Sequence, residues 1–575
     1  METGSRQGNT SYRFVVLTLM GCGLGTVVSL AALLFVECVR WLNSALLIAP
    51  RARVQFADPT LLAILTVLVP TVGGLLVGHL LHRFSAEKRV LGPPDVILSA
   101  QLRKPLPGIR SGLMSTIAAI LSLGCGASVG QYGPLVYLGA LLASTLDRFK
   151  LRIPNARSVA IACGVAAAIS TAFNAPIAGL VFAHEVILRH YSLQAFAPTT
   201  VASASGFVVA NVLFERPPLF LVAFDGVGHA YEFGLFALLG VLCALLAVVF
   251  MKCVIGSARL AAKMPVHASF RPAIAGVVVG FVALQIPDVL GIGSELLRFA
   301  TIEGAFSNPE LAVLVVSKLL LTALCLGFGF AGGIFSPSLL VGILFGALCW
   351  NLLGTAGIET SGIAVYGISS MVALASAVIG APLTAILIVF ELTRNYELTI
   401  AAMVSVVFAN LIVFRLAGRS LFDIQLAARG VDLSGGRDQA QMQHARLIEL
   451  ELSQAVTVLP EDTSAAAHAK LLGEKRAEAV VVDSSRKFSG VLRLQDLSSD
   501  SSVLVKNLQQ SEALYLFDDL SLWDAMNEMK GYVGESIPVL SRTEHRLLGV
   551  ISESAIVEAY LQIVHQSRQE ENDAL

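Results

Sequence analysis

Two short segments with helix-breaking residues lie about two hundred residues apart in strongly apolar sequence, and both have the pattern Gly-x-x-x-Pro. The first covers residues 130–134 (GQYGP) and the second covers 333–337 (GIFSP). Glycine frees the backbone to turn, and proline fits the first turn of a helix because its missing N–H would be unpaired there. A helix start presents unpaired N–H groups and a partial positive charge. Each segment is therefore a candidate anion site that needs no charged side chain.

The surroundings of the two breaks are also repeated. An Ala-Pro pair follows each break by some forty residues, at 175–176 and at 381–382, and a glutamate lies nine positions after each proline. Duplicated membrane units with helices broken at matching positions are typical of transport sites. Neither break contains Lys or Arg, so an anion would be held weakly enough to leave again. Kinked packing helices without a ligand are the alternative interpretation.

Composition indicates a polytopic membrane protein. The chain is 55% hydrophobic and 14% charged, and its mean hydropathy is +0.74. Three stretches, 111–146, 319–358 and 360–390, contain no Asp, Glu, Lys or Arg, and each is long enough for at least one membrane crossing of about 20 residues. The formal net charge of −1 gives no reason to expect a nucleic-acid partner. The eight widely spaced cysteines predict neither a metal site nor disulfides.

The apolar character ends near Gly430, and we expect a membrane domain over 1–430. Residues 431–452 are polar and are predicted to form a linker. The pattern of a small α/β domain follows over 453–565, before a tail at 566–575. A predicted helix–strand–strand arrangement recurs there at about 453–500 and 513–562. The predicted fold class is thus an all-α polytopic membrane domain followed by a small α/β domain.

These motifs resemble the CLC chloride channels and transporters, in a prokaryotic-type form with a C-terminal pair of CBS motifs. The resemblance rests on both breaks, on residues 172–176 (AFNAP) and on the C-terminal repeat. It implies about 18 helices in two inverted repeats, a homodimer in the inner cell membrane with cytoplasmic CBS motifs, and one chloride pathway per subunit. The pathway residues it implies are Leu91, Gly92, Gly130, Gln131, Tyr132, Gly133, Gly333, Ile334, Phe335, Ser336, Pro337 and Phe422, with the backbone N–H groups of Ile334 and Phe335 on the ion.

The CBS resemblance implies a possible adenine nucleotide, ATP, ADP or AMP. In that family an aspartate after the last strand of a motif typically holds the ribose. Asp496 occupies this place in the first motif, whereas the second motif has Ala555 there and keeps Ser552. Nucleotide binding and pure scaffolding both stay open. No metal and no other cofactor is expected.

Several residues depart from the CLC pattern. Tyr132 stands where the family carries its gating glutamate, and a phenol with an ordinary pKa of about 10 cannot act as a carboxylate gate. Val186 stands where antiporters carry a proton-relay glutamate. The central anion position loses two hydroxyl donors, since Leu91 and Phe422 replace a serine and a tyrosine. At about 1 kcal/mol per hydrogen bond, we expect weaker anion binding.

The missing carboxylates predict a passive, uncoupled chloride channel that is not an enzyme, with Tyr132 as its barrier. One alternative is a chloride/proton antiporter whose proton path uses His184, Glu185 or a water wire. Another is a non-conducting membrane sensor that reads nucleotides through its CBS motifs. Glu185 and Glu391 are interpreted as structural hydrogen-bonding groups. The choice among chloride, bromide, nitrate and fluoride stays open.

Overall fold

The computed structural model describes residues 2–146, 155–214, 226–498 and 500–572. The chain divides into two compact units, and the boundary lies between Gly430 and Val431. Each unit has its own architecture.

The first unit is entirely helical in its described part. Nine of its helical segments are long and apolar enough to cross a membrane, counted over the described residues. Its eighteen α-helices are α1 (Glu2–Ala45), α2 (Pro50–Val54), α3 (Pro59–Phe84), α4 (Pro93–Leu102), α5 (Ile109–Gly124), α6 (Tyr132–Ser144), α7 (Ala156–Phe173), α8 (Pro176–Phe182), α9 (Leu193–Val208), α10 (Glu232–Lys263), α11 (Arg271–Gln285), α12 (Ser294–Phe299), α13 (Asn308–Phe328), α14 (Phe335–Thr355), α15 (Ile363–Ile379), α16 (Pro382–Thr393), α17 (Tyr396–Ala417) and α18 (Leu421–Ala427).

Matching helices of the two halves begin and end on matching residues. The two breaks start α6 and α14, and the Ala-Pro pairs start α8 and α16. The helices in between, α7 and α15, both end in a left-handed residue, Asn174 at φ 61° and Gly380 at φ 75°. Asparagine and glycine are the residues that adopt this conformation most readily. The predicted helical membrane fold with an internal repeat is confirmed.

Small residues let these helices approach closely. An added Cβ on Gly139 of α6 would lie 2.4 Å from the carbonyl oxygen of Gly164 in α7. In the second half, an added Cβ on Gly346 of α14 would lie 2.3 Å from the carbonyl oxygen of Tyr366 in α15. Membrane helices associate by such close backbone packing, because lipid provides no hydrophobic drive between them. The helices that begin at the breaks are therefore held against rigid neighbours.

The second unit contains two small sheets of the same topology. In each sheet the first two strands are parallel and the last two are antiparallel, with one helix connecting the parallel pair. The predicted small α/β region is confirmed. Its elements are α19 (Arg437–His444), β1 (Thr457–Val458), α20 (Ser464–Gly473), β2 (Glu478–Val482), β3 (Phe488–Arg493), β4 (Leu516–Phe517), α21 (Leu522–Glu528), β5 (Ile537–Leu540), β6 (Leu547–Ile551) and α22 (Glu553–Asn572).

Alternate residues along β2 are buried in two different hydrophobic cores. In β2, Val481 packs toward α20, whereas Val480 and Val482 join residues of β5 and β6 in a core shared by both sheets. This follows from the period of two along a strand. The segment predicted as a linker, 431–452, contains α19, and its residues Met442 and Leu447 are buried in the core of the second sheet.

Candidate functional site

The two breaks contact each other directly. The N–H of Gly130 donates to the carbonyl of Gly333 at 2.8 Å, and the N–H of Gly333 donates back to the carbonyl of Gly130 at 2.7 Å. The hydroxyl of Ser336 accepts from the N–H of Gln131 at 3.3 Å. An added Cβ on Gly333 would lie 2.8 Å from the nitrogen of Gly133. Glycine is required here because the two backbones leave no room for a side chain.

A cavity of about 190 Å³, called here the central cavity, lies where three helices start. The starts of α4, α6 and α14 reach its wall, and α18 adds one aromatic ring. The sequence-predicted residues that line it are Leu91, Gly92, Tyr132, Gly133, Gly333, Ile334, Phe335 and Phe422. Helix starts carry partial positive charge, so the wall combines apolar side chains with backbone groups suited to a small anion.

The remaining sequence-predicted pathway residues lie beside this cavity. Gly130 forms the bridge to the second break, and Ser336 holds the N–H of Gln131. Pro337 packs against Gly130, where its Cδ would lie 2.8 Å from an added Cβ. These residues hold the wall in place.

Tyr132 separates the central cavity from a wider one. Its ring stacks on Phe173, with centroids 3.8 Å apart, and meets Phe335 edge-on at 5.6 Å. Only 6% of Tyr132 is exposed. A second cavity of about 570 Å³, called here the wide cavity, is lined by Tyr132, Gln131 and Phe173. Tyr132 is the residue common to the linings of both cavities.

The wide cavity is rich in charged side chains. Three arginines, Arg40, Arg51 and Arg298, line it together with Asp288 and Glu295. The arginines outnumber the carboxylates among its lining residues, which favours the approach of anions.

A buried ion cluster lies at the start of α4. Asp95 is 3% exposed, and its carboxylate accepts from Arg89 at 2.6 Å, from Arg429 at 3.0 Å and from the N–H of Gly92 at 3.0 Å. The carboxylate thus occupies its own helix start and is neutralised by two guanidinium groups. Both Asp95 and Arg429 line the central cavity.

Sequence reasoning missed two polar side chains that line the central cavity. Gln425 and Arg429 follow Phe422 at i+3 and i+7 and line the same wall. Gln425 shares a helix face with Phe422, so the position of Phe422 in the motif could have pointed to it, whereas Arg429 lies beyond the end of α18. Phe173 was also missed, because its stacking partner Tyr132 is distant in sequence.

Val186 lies away from the central cavity. With His184, Glu185, Arg189 and Asp423 it lines a third cavity of about 340 Å³, called here the side cavity. The side cavity and the central cavity share one lining residue, Ile379 of α15. Titratable side chains therefore surround Val186.

Glu185 and Glu391 cap helices of the opposite repeat. Glu391 of α16 accepts from the N–H groups of Ile177 and Ala178 at the start of α8, at 2.8 and 2.7 Å. Glu185, after α8, accepts from the N–H groups of Leu383 and Thr384 at the start of α16, both at 2.9 Å. Both carboxylates therefore make structural hydrogen bonds at helix starts.

In the second unit, the nucleotide candidates have local partners. Asp496 accepts from the side-chain amide of Gln510 at 2.9 Å, and the hydroxyl of Ser552 lies 2.8 Å from that of Ser554. The cavity lined by Val456, Val480 and neighbouring residues measures only about 10 Å³.

The repeated helices and facing cavities define a multi-pass membrane transport protein. Residues 73–413 match the model of the voltage gated chloride channel family, and residues 505–562 match that of the CBS domain. The chain belongs to the voltage gated chloride channel family, as its resemblance to the CLC proteins implied.

Named relatives cover most of the chain. The H(+)/Cl(-) exchange transporter ClcA of Yersinia pseudotuberculosis is 28% identical over 78% of this chain and 93% of its own length. A ClcB-like chloride channel protein of Ralstonia nicotianae is 28% identical over 66% of this chain and 90% of its own length. The solved structure of a slow cyanobacterial Cl-/H+ antiporter has a TM-score of 0.65 and 22% identity, and the match covers 72% of this chain and 97% of that one.

The prediction of a passive, uncoupled channel is wrong. It is contradicted by the similarity to exchange transporters such as ClcA. The inference failed because it treated two missing carboxylates, at Tyr132 and Val186, as the absence of every proton carrier. Other titratable side chains line the side cavity around Val186.

Proposed function

We propose that this protein exchanges chloride for protons across a membrane, by a proton path that does not depend on carboxylates at positions 132 and 186. The exchange transporters among its relatives support the reaction class. The side cavity supports an alternative proton route, because it brings His184, Glu185 and Asp423 together beside Val186. The protein carries ions and is not an enzyme.

The observation that carries the proposal is the position of Tyr132 between two cavities. Coupled exchange requires that the path never be open to both sides at once, since an open path would dissipate the gradient. Tyr132 lines the central and the wide cavity and stacks on Phe173, and in this proposal its ring blocks the passage between them. A closed path of this kind fits a transporter.

The anion binds at the starts of α6 and α14 in this proposal. The first-turn N–H groups of Ile334 and Phe335 contact it, and the backbone near Gly92 and Gly133 completes the wall. Leu91 and Phe422 offer no hydroxyl, which weakens binding and speeds release. Tyr132 is the gate, and it opens by a side-chain movement away from Phe173.

A flux assay with two simultaneous readouts tests the proposal. Purified protein in liposomes is placed under an outward chloride gradient, and chloride efflux and internal pH are recorded together. Exchange predicts that chloride efflux drives protons inward against their own gradient. Chloride efflux without any proton movement would refute coupling, and no chloride movement at all would favour a sensor.

We also propose a homodimer with one pathway in each subunit, located in the inner cell membrane. Helices near α8 and α16 expose large apolar side chains that suit a partner subunit as well as lipid. They include Ile177, Phe196, Leu383 and Phe408. Cross-linking of cysteines placed at positions 177 and 383 in native membranes would give a dimer band if α8 and α16 face the partner.

For the second unit we propose a cytoplasmic pair of CBS motifs over 453–565 that binds an adenine nucleotide weakly. Asp496 follows β3 at the place where a CBS motif holds ribose. The small cavity beside β2 means that a nucleotide must separate the packed side chains there, which lowers affinity. Equilibrium binding of labelled ATP to the whole protein, with Asp496→Ala as control, tests this.

A further inference from the structure

A buried histidine in the side cavity has a partner on each ring nitrogen. His184 lies on a π-helical turn, Ala183–Leu188, that continues α8, and its side chain is fully buried. Its Nδ1 lies 3.1 Å from the carbonyl oxygen of His190, and its Nε2 lies 3.1 Å from the hydroxyl of Thr199 in α9. Such π-turns are frequent at functional sites.

The two partners differ in what they can do. A carbonyl oxygen can only accept, so Nδ1 must carry a hydrogen. A hydroxyl can donate or accept, so Thr199 suits either state of Nε2. The same hydroxyl oxygen also lies 2.6 Å from the carbonyl oxygen of Ala195. When Nε2 is bare, the hydroxyl hydrogen points to Nε2; when Nε2 is protonated, the hydroxyl hydrogen turns to Ala195 and its oxygen accepts from Nε2.

We propose that His184 and Thr199 form the proton-holding site of the exchange cycle. This inference rests on the proposed function. In the loading step a hydronium ion gives its proton to Nε2, so that one O–H bond breaks, one N–H bond forms, and the ring becomes an imidazolium. In the release step Nε2 returns the proton to a water molecule, the N–H bond breaks as an O–H bond forms, and the hydroxyl of Thr199 again donates its hydrogen bond to Nε2. The heavy atoms keep their places in both states, so loading needs no rearrangement of the helices.

His184 lies close in sequence to residues of both the side cavity and the central cavity. Glu185, Val186 and Asp423 line the side cavity with it. Two residues earlier on the same segment, Phe182 lines the central cavity, and Ile379 lines both. A positive charge on His184 would therefore lie in the cavity next to the proposed anion site, and it would attract an anion to that site.

The charged and titratable neighbours can support this charge. On its own segment Glu185 caps α16, and Arg189 pairs with Asp423 of α18 at 2.6 Å. The ring of Tyr191 stacks on His184 at 5.4 Å. The titratable groups of the elements that face or pack against the turn are Asp95 of α4, Arg157 and Cys163 of α7, His190 and Tyr191 after the turn, and Asp423 of α18. Asp95 is already paired with Arg89 and Arg429.

Four substitutions in the liposome assay test the inference. His184→Gln removes the titrating ring, Thr199→Val removes the hydroxyl at nearly constant shape, and Thr199→Ser keeps it. His79→Gln is the matched control, an exposed histidine of α3 that does not line the side cavity. Folding is checked by elution volume and thermal stability. For each variant the proton-to-chloride ratio is measured between pH 5 and 8, where histidine titrates.

We expect His184→Gln to lower the proton-to-chloride ratio about tenfold or more, with chloride efflux retained and its pH dependence flattened. Thr199→Val should lower the ratio less, and Thr199→Ser and His79→Gln should keep it. An unchanged ratio and pH profile in His184→Gln would overturn this inference and leave the exchange function intact. Absence of proton movement in the unaltered protein would instead overturn the proposed function itself.

Discussion

The two breaks have the same backbone arrangement and carry different side chains. Both begin a helix at the central cavity, and they are joined by reciprocal hydrogen bonds between Gly130 and Gly333. The first break places an aromatic ring, Tyr132, across the path, whereas the second places the backbone of Ile334 and Phe335 along its wall. In the proposed function the two copies therefore have different roles: the first break blocks the passage with its ring, and the second holds the ion with its backbone.

The largest expected effect comes from the contact between the breaks. Gly333→Ala places a Cβ 2.8 Å from the nitrogen of Gly133, and since both sides are backbone, we expect a loss of about 3 kcal/mol or more in stability. Thermal unfolding in detergent and chloride efflux both report it. The control is Gly234→Ala, where an added Cβ meets nothing within 4 Å. Equal behaviour of the two variants would contradict the close contact.

The reciprocal caps provide the next test of the repeat. Glu185→Gln and Glu391→Gln each weaken charge-assisted bonds at the start of the opposite helix, and we expect each to cost about 2 kcal/mol. The loss should be larger for Glu185, which also accepts from the hydroxyl of Thr384 at 2.6 Å. The exposed Glu303 gives the control substitution to Gln. Melting temperatures in detergent measure all three, and a loss in only one glutamate variant would argue against symmetric roles.

The gate distinguishes the first break from the second. Tyr132→Ala removes the ring between the central and wide cavities, and we expect chloride efflux to rise about tenfold, which corresponds to a barrier lower by about 1.4 kcal/mol. Tyr132→Phe keeps the ring and should keep the rate. An unchanged rate in the alanine variant would place Tyr132 outside the path.

The smallest effect concerns the hydroxyl groups missing near the second break. Phe422→Tyr restores one donor at the central cavity, and we expect chloride to bind about fivefold more tightly, since a neutral hydrogen bond contributes about 1 kcal/mol. Calorimetric titration with chloride measures it. Phe281→Tyr, at a position 60% exposed, serves as control. If both variants bind chloride equally, Phe422 does not face the ion.

The sequence pattern predicted the helical membrane fold well because its signals are local. Helix-breaking residues, charge-free stretches and Ala-Pro pairs each act on a few neighbouring residues. The strands of the small α/β region were also predicted from local sequence, as in the run of valines that forms β2. The contact between Gly130 and Gly333 could not be predicted in this way, since it pairs residues about two hundred positions apart.

The proton path was the part that sequence reasoning misjudged. Comparing positions 132 and 186 with a family motif shows which carboxylates are missing, and it does not show what surrounds them. His184 entered only as part of the alternative antiporter hypothesis. His184 and Val186 both line the side cavity and lie on the same π-helical turn, Ala183–Leu188. In the segment 431–452, predicted as a linker, polar residues surround Met442 and Leu447, which are buried.

The paired hydrogen bonds between Gly130 and Gly333 also limit how the protein can move. A rotation of one repeat relative to the other would break both of these backbone hydrogen bonds. Within the membrane, each backbone group left without a partner costs several kcal/mol. We therefore expect the contact between the two breaks to stay fixed during transport. Access from alternate sides would then come from rotation of aromatic side chains and small shifts of helix ends.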